Sequence, residues 1–146
     1  MAILNYTSKI SSEQSISEIQ KILVRKGASK ITTDYTDGIP TNLTFVLSIH
    51  DNVAFYSLPC RIDGVYKSIG KIKNNTIRPW MKTRDQAANV AWRILKDWVE
   101  AQMALIDAEL AELPEVFLPY TITRGGETLY QYIKDLPANT TPLQLN

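Results

Sequence analysis

From Ala87 to Leu113 the chain contains neither glycine nor proline, and its apolar residues recur at helical spacing. Ala88, Trp92, Leu95, Val99, Gln102, Ile106 and Leu113 line one stripe, which Ala91, Ile94, Trp98, Leu105 and Leu110 widen. That period belongs to an amphipathic helix. Thr83-Arg84-Asp85-Gln86 fits a capping box at its start, and Pro114 marks its end. The pattern predicts a helix over about 84–112, roughly 43 Å long at ~1.5 Å per residue. Such a stripe must be covered by the rest of the chain or by a second copy. Because it outruns a small sheet, a homo-oligomer formed through the 84–112 helix is expected.

The first half of the chain reads differently. Residues 2–10 alternate as a strand would, Ala2, Leu4, Tyr6, Ser8 and Ile10 against Ile3, Asn5, Thr7 and Lys9. Ser11 with Gln14, or Ser15 with Glu18, fits a helix start. Ile16, Ile19, Ile22 and Leu23 follow at helical spacing and Gly27 suits the position after the last turn, so a helix is predicted over about 12–26. Ile31, Thr33 and Tyr35 alternate up to Asp37-Gly38; Leu43, Phe45, Leu47 and Ile49 alternate up to His50-Asp51-Asn52; Val53 to Leu58 runs to Pro59. Those three runs read as a β-meander. Ile62, Val65, Tyr66 and Ile69 suggest one face of a short helix, and Leu129, Tyr132 and Ile133 suggest another near the end. Residues 114–121 are broken by two prolines, Gly125-Gly126 reads as a flexible joint, and 136–146 as a frayed tail. The expected architecture is a single α+β domain over 1–146. A small antiparallel sheet of about four strands, within 1–66, is packed by an N-terminal helix and a long C-terminal helix.

At 45% hydrophobic and 21% charged residues the composition is that of a globular domain, not a disordered chain. Net charge is only +1, yet residues 1–84 hold twelve Lys/Arg and six Asp/Glu while 85–146 hold four and nine. Such segregation favours head-to-tail association or a partner with a charged face, or is simply a solvated surface. One cysteine, Cys60, excludes an internal disulfide, and a single histidine, His50, argues against a Cys/His zinc site. The start MAILNYTSKI has no basic n-region and no long apolar run, so no secretory leader is expected, and no stretch approaches the ~18 apolar residues of a membrane span. A cytoplasmic protein with no membrane partner is the expectation.

The strongest pointer to a partner is Lys67 to Arg84. It carries Lys67, Lys71, Lys73, Arg78, Lys82 and Arg84, no acid, and Trp80. It runs straight into the start of the long helix, whose free N–H groups carry positive partial charge. Lys71, Lys73, Arg78, Trp80, Lys82, Arg84, Asn89 and Arg93 are therefore the candidate ligand-binding residues. Trp80 can stack on a base, Asn75 and Asn89 can hydrogen-bond a base edge or ribose, and the cations can meet phosphate. Alternatively Trp80 packs down after Pro79 and the lysines only solubilise the loop. Arg93 lies between Trp92 and Ile94; if buried it needs an anionic partner, a ligand or an acid from another subunit.

Catalytic templates are missing. There is no Gly-rich phosphate loop. His50 falls in a hairpin turn beside Asp51 and reads as a surface residue; Cys60 at a strand end reads as a buried structural thiol, with the adjacent cation Arg61 leaving a reactive thiol as the alternative. A metal-dependent nuclease would need carboxylates such as Asp85, Asp97 and Glu100 to converge. With no cofactor, metal or catalytic residue indicated, a binding protein is expected rather than an enzyme.

The opening AILNYT, and the run AWRILKDWVEAQMALIDAEL followed by EVFLPY, resemble small phage- and prophage-borne proteins. The resemblance implies a cytoplasmic accessory protein of a mobile element and carries over no catalytic residue. Its context suggests a counter-defence factor that sequesters a nucleotide signal or nucleic acid, or blocks a host defence protein. A DNA-binding accessory of phage replication or recombination, and an oligomeric assembly protein, are the alternatives.

Overall fold

A computed structural model describes residues 3–73, 75 and 77–137. The chain runs α1 (Ser12–Arg25), β1 (Lys30–Thr36), β2 (Ile39–Ile49), β3 (Asn52–Pro59), α2 (Ile62–Gly70), a 3-10 turn (Pro79–Lys82), α3 (Arg84–Asp107), α4 (Leu113–Val116), a second 3-10 turn (Leu118–Tyr120) and α5 (Leu129–Lys134). It is an α+β fold, with three antiparallel strands in the order β1-β2-β3.

Both hairpins form where the turn residues demand them. Asp37 and Gly38 have φ of 53° and 80°, and His50 and Asp51 have 49° and 67°. Positive φ at both central residues gives the twist of a type I′ turn, which suits the twist of the strands it joins. The register pairs Thr36 with Ile39 and Ile49 with Asn52, so each loop is two residues long. Alternation then puts Leu43, Phe45, Leu47, Tyr56 and Leu58 on the buried face. Between Asp34 and Tyr35 the β1–β2 register slips, with Asp34 opposite Asn42 but Tyr35 opposite Pro40, leaving Thr41 as the extra residue. Pro40 has no N–H to offer a ladder, which makes this a tolerable place for the bulge. Its carbonyl accepts from the Trp92 indole at 2.9 Å, tying the sheet to α3.

The helices cover that one face. α3 packs on β2 and on both α1 and α2. Ile16, Ile19 and Leu23 of α1, Ile62 and Ile69 of α2, and Ala87, Val90, Trp92 and Val99 of α3 join the sheet residues in one core. α1 begins as its sequence indicates, with the Ser11 hydroxyl accepting from Gln14 N at 3.1 Å. It ends in a Schellman motif: Gly27 sits at φ 102°, Ala28 N donates to Leu23 O and Gly27 N to Val24 O. Asn42 closes a polar network on the open face, donating to Asp34 and Thr44 and accepting from the Ser57 hydroxyl.

Three expectations need correction. The four-stranded sheet has three strands, because residues 4–7 form a turn in place of the N-terminal strand. Asn5 there takes φ 63°, Ser8 N bonds Asn5 O, and the Gln86 amide donates to Tyr6 O and Ser8 O, so α3 engages this segment through hydrogen bonds. The place beside β3 is taken instead by the C-terminal segment, where Ile122 N donates to Phe55 O at 2.8 Å. The long helix stops at Asp107 rather than near 112. Glu109 adopts φ 60° while Leu110 N bonds Leu105 O and Glu109 N bonds Ile106 O, a Schellman close without glycine. Finally, Gly125-Gly126 is a tight turn, with Gly126 at φ 87° and Thr123 N bonded to Glu127 O. The frayed tail was expected over 136–146; residues 138–146 lie outside the described ones.

The apolar stripe of α3 is covered largely from within. Phe117 is fully buried against Phe45, Tyr56 and Trp98, and Tyr120 meets Trp98 edge-on at 5.7 Å. Of the residues expected on that stripe, Leu105 near the end of α3 and Leu110 just past it are exposed, and Leu118 of the second 3-10 turn is exposed as well. No helix among the described residues is long and apolar enough to cross a membrane.

Candidate functional site: an exposed basic and aromatic face

The stretch between α2 and α3 is anchored by three apolar side chains, Ile72, Ile77 and Met81, of which Ile72 and Met81 are buried. Those anchors leave the polar residues outside. Lys67, Lys71, Lys73, Asn75, Arg78 and Lys82 are exposed. Among the described residues none of these five cations enters an ion pair, whereas Lys26, Arg93 and Lys96 on the helices are paired. Arg78 steadies the loop by donating to Asn75 O at 3.1 Å. Asn74 and Thr76 lie outside the described residues.

The two readings of Trp80 resolve within one short turn. Pro79 starts a 3-10 helix over Pro79–Lys82, and Met81, 7% exposed, is the residue that turns inward. Trp80 is 41% exposed. Trp92, by contrast, is fully buried, and Trp98 lies against the aromatic cluster of Phe117 and Tyr120.

At the head of α3 the Thr83 hydroxyl accepts from Gln86 N at 3.1 Å and donates to Trp80 O at 3.0 Å. This capping occupies one of the free amides, and Asp85 puts a carboxylate in the first turn. Both lessen the pull of the helix end on an outside anion. The full charges of the loop are therefore a stronger source of positive potential here than the helix terminus.

Of the remaining candidates, Asn89 and Arg93 turn to α1, while Arg84 stays beside the basic stretch with its charge paired. Arg84 pairs with Asp63 at 2.7 Å, and its guanidinium lies 5.4 Å from the centroid of Tyr66. Asn89 accepts from both the backbone N and the hydroxyl of Ser12 at 2.9 Å and donates to Gln86. Arg93 is 8% exposed and pairs with Glu18. The anion that burial of Arg93 demands thus comes from α1 of the same chain. Asn89 and Arg93 hold α1 to α3, while Lys71, Lys73, Arg78, Trp80 and Lys82 form the exposed group.

The structure adds residues that periodicity had placed elsewhere. Tyr66 belongs to the expected apolar side of α2, yet it is 39% exposed beneath Arg84. Arg61 lies 5.9 Å from the ring centroid of Tyr130, itself 47% exposed. Arg84 also borders a cleft of about 530 Å³ that includes Asp37, Cys60, Arg61 and Asp63. Its two carboxylates make that cleft a poorer seat for an anion than the acid-free loop.

Other chemistry finds little support in the geometry. Asp85 borders a hollow with Ser11 and Asn89, Glu100 lines a groove between α1 and α3, and Asp97 accepts from Asn5 at 3.2 Å. These three carboxylates share no cavity, and no metal-binding cluster of His, Cys, Asp or Glu forms among the described residues. His50 is an exposed turn residue. Burial pushes the Cys60 thiol up to about 12, so it is protonated and unreactive near neutrality. No family model, curated protein or solved structure matches the chain.

Proposed function

We propose that this is a non-enzymatic protein that binds a phosphate-bearing ligand, a nucleotide or nucleic acid, on the face running from Tyr66 to Arg84. One observation carries the reading: Lys67, Lys71, Lys73, Arg78 and Lys82 are exposed on one stretch of chain, and none is in an ion pair among the described residues. Like charges so grouped repel one another, and a multivalent anion relieves that repulsion while releasing counterions. The apolar anchors Ile72 and Met81 fix the loop at its base and so lower the ordering cost of binding.

The test is a pair of double variants titrated with polyphosphate and with an oligonucleotide at low salt. Arg78→Ala with Lys82→Ala should weaken binding about tenfold or more, taking roughly 1 kcal/mol per lost charge contact. Lys21→Ala with Arg25→Ala, on α1, should change it little. Equal affinity of the loop variant and the unaltered chain for every anion tried removes the loop from the site. The occupant would then be sought on an acidic protein surface, such as that of a host defence protein.

The mobile-element context belongs to the same proposal and rests on the resemblance of residues 2–7, 91–110 and 115–120. Expression in a host with an active defence should raise the plating of a restricted phage. Unchanged plating across several defences would remove the counter-defence role and leave the binding role standing.

A further inference from the structure

We infer that the ligand is single-stranded nucleic acid, with bases stacking on Trp80 and on the Arg84–Tyr66 pair while Lys71, Lys73 and Lys82 meet the phosphates. The inference rests on the anion-binding reading above. It adds what charge alone does not explain, the aromatic content of the face. Trp80 is 41% exposed and Tyr66 39%, although Ile69, Ile72 and Met81 nearby are buried. Leaving large rings in water beside buried aliphatic neighbours suits a partner that offers flat apolar faces.

Nucleobases offer such faces only when unpaired from a duplex stack. Arg84 extends the platform. Its guanidinium is fixed by Asp63 at 2.7 Å over the Tyr66 ring, and planar guanidinium stacks bases as aromatic rings do. Through Thr83, whose hydroxyl donates to Trp80 O, the Trp80 turn is braced one residue from Arg84. Along the chain Lys71 and Lys73 fall between Tyr66 and Trp80, and Lys82 between Trp80 and Arg84, an alternation of cation and flat side chain that suits a sugar-phosphate chain with splayed bases.

The same geometry disfavours duplex and mononucleotide. Reading a major groove takes a projecting helix or a two-stranded β-ribbon, and no named strand lies between Tyr66 and Arg84. Here Gln86, Ala87 and Ala88 at the head of α3 are buried, leaving Arg84 and Asp85 as the exposed residues of its first turn, and α2 is nine residues long. A mononucleotide needs a concave seat. The cleft beside Arg84 supplies one but brings Asp37 and Asp63 against the phosphate.

The experiment is a fluorescence and anisotropy titration of the full chain with three probes: a dT 12-mer, a duplex of equal length, and polyphosphate of comparable charge. The expected result is quenching by the dT 12-mer that Trp80→Phe abolishes, at least tenfold weaker duplex binding, and a salt slope of about −2 to −3 for three or four phosphate contacts. Trp80→Ala should weaken the 12-mer about tenfold and leave polyphosphate unchanged, and Trp80→Phe should restore most of the affinity. If all three probes bind alike and Trp80→Ala changes none of them, the stacking inference is overturned while the anion-binding reading survives. If no probe binds at low salt, both fall. Should Trp80→Ala not fold, the quenching of the unaltered chain by the 12-mer but not by polyphosphate decides the matter, and its absence overturns the inference.

Discussion

Single residues decide much of this molecule through where their polar atoms go. Trp92 was legible as an apolar position, but its bond to Pro40 O was not, because that carbonyl is freed by a bulge that no residue pattern announces. Replacing it by Phe leaves the carbonyl without its donor and opens space in a fully buried site. A loss of about 2–4 kcal/mol in urea denaturation is expected, from the unmet hydrogen bond and the cavity together. Cys60 behaves as a small apolar residue. Its thiol is pushed from an ordinary 9.0 up to about 12 by desolvation, and burial raises Tyr56 as well. The protonated thiol therefore contributes its stability in full below pH 9, and that contribution declines as pH rises from 9 toward 12, because the unfolded thiol ionises first. A thiol reagent at pH 8 should label Cys60 only at the rate of unfolding, and denaturation midpoints should fall between pH 9 and 12. Rapid labelling of the native protein would contradict the burial.

Among the elements, those written in local chemistry were read closely. The two hairpins follow from Asp37-Gly38 and from the run at His50, and α1 follows from Ser11 and Gly27, since each is fixed by residues within a few positions. Elements decided at a distance were not. Residues 2–10 alternate like a strand, yet strand pairing needs a neighbour, and Gln86 and Asp97 of α3 hold this segment instead. The end of α3 was misplaced because Glu109 does what glycine ordinarily does there. Glu109→Gly should remove a left-handed penalty and stabilise the protein by about 1 kcal/mol at unchanged m-value. The α1–α3 contact makes a sharper case. Arg93 is 8% exposed and Glu18 pairs with it from a half-buried position. Glu18→Ala leaves a buried cation without its partner, so a loss of about 2–3 kcal/mol is expected, less than for full burial. Glu18→Leu with Arg93→Met should cost less than that single change, because both charges leave together. A double variant as unstable as the two singles summed would show that the pair is not coupled.

The whole molecule separates its charges along α3. Before its start in the chain come Lys71, Lys73, Arg78 and Lys82; at its end lies Asp107, followed by Glu109, Glu112 and Glu115. At ~1.5 Å per residue the helix holds these regions about 36 Å apart. That separation is several Debye lengths at physiological salt, so the acids at the far end of α3 do little to offset the basic end, where Asp63 and Asp85 are the nearby carboxylates. The basic face itself was legible, because an acid-free run needs no tertiary information. The surroundings of its residues were only half legible: Trp80 and the lysines are exposed, Asn89 and Arg93 bind α1, and Tyr66 is exposed on a side of α2 that periodicity assigns to the core. An isotope-labelled sample titrated with a dT 12-mer at low salt, followed by amide chemical shifts, locates the contact directly. Shifts should concentrate between Tyr66 and Arg84, with Trp80 among the largest, and leave the α1–α3 groove and the open sheet face unmoved. Shifts confined to the groove around Lys21 and Lys96, or to the sheet at Thr44 and Phe55, would contradict the assignment of the basic face as the binding site.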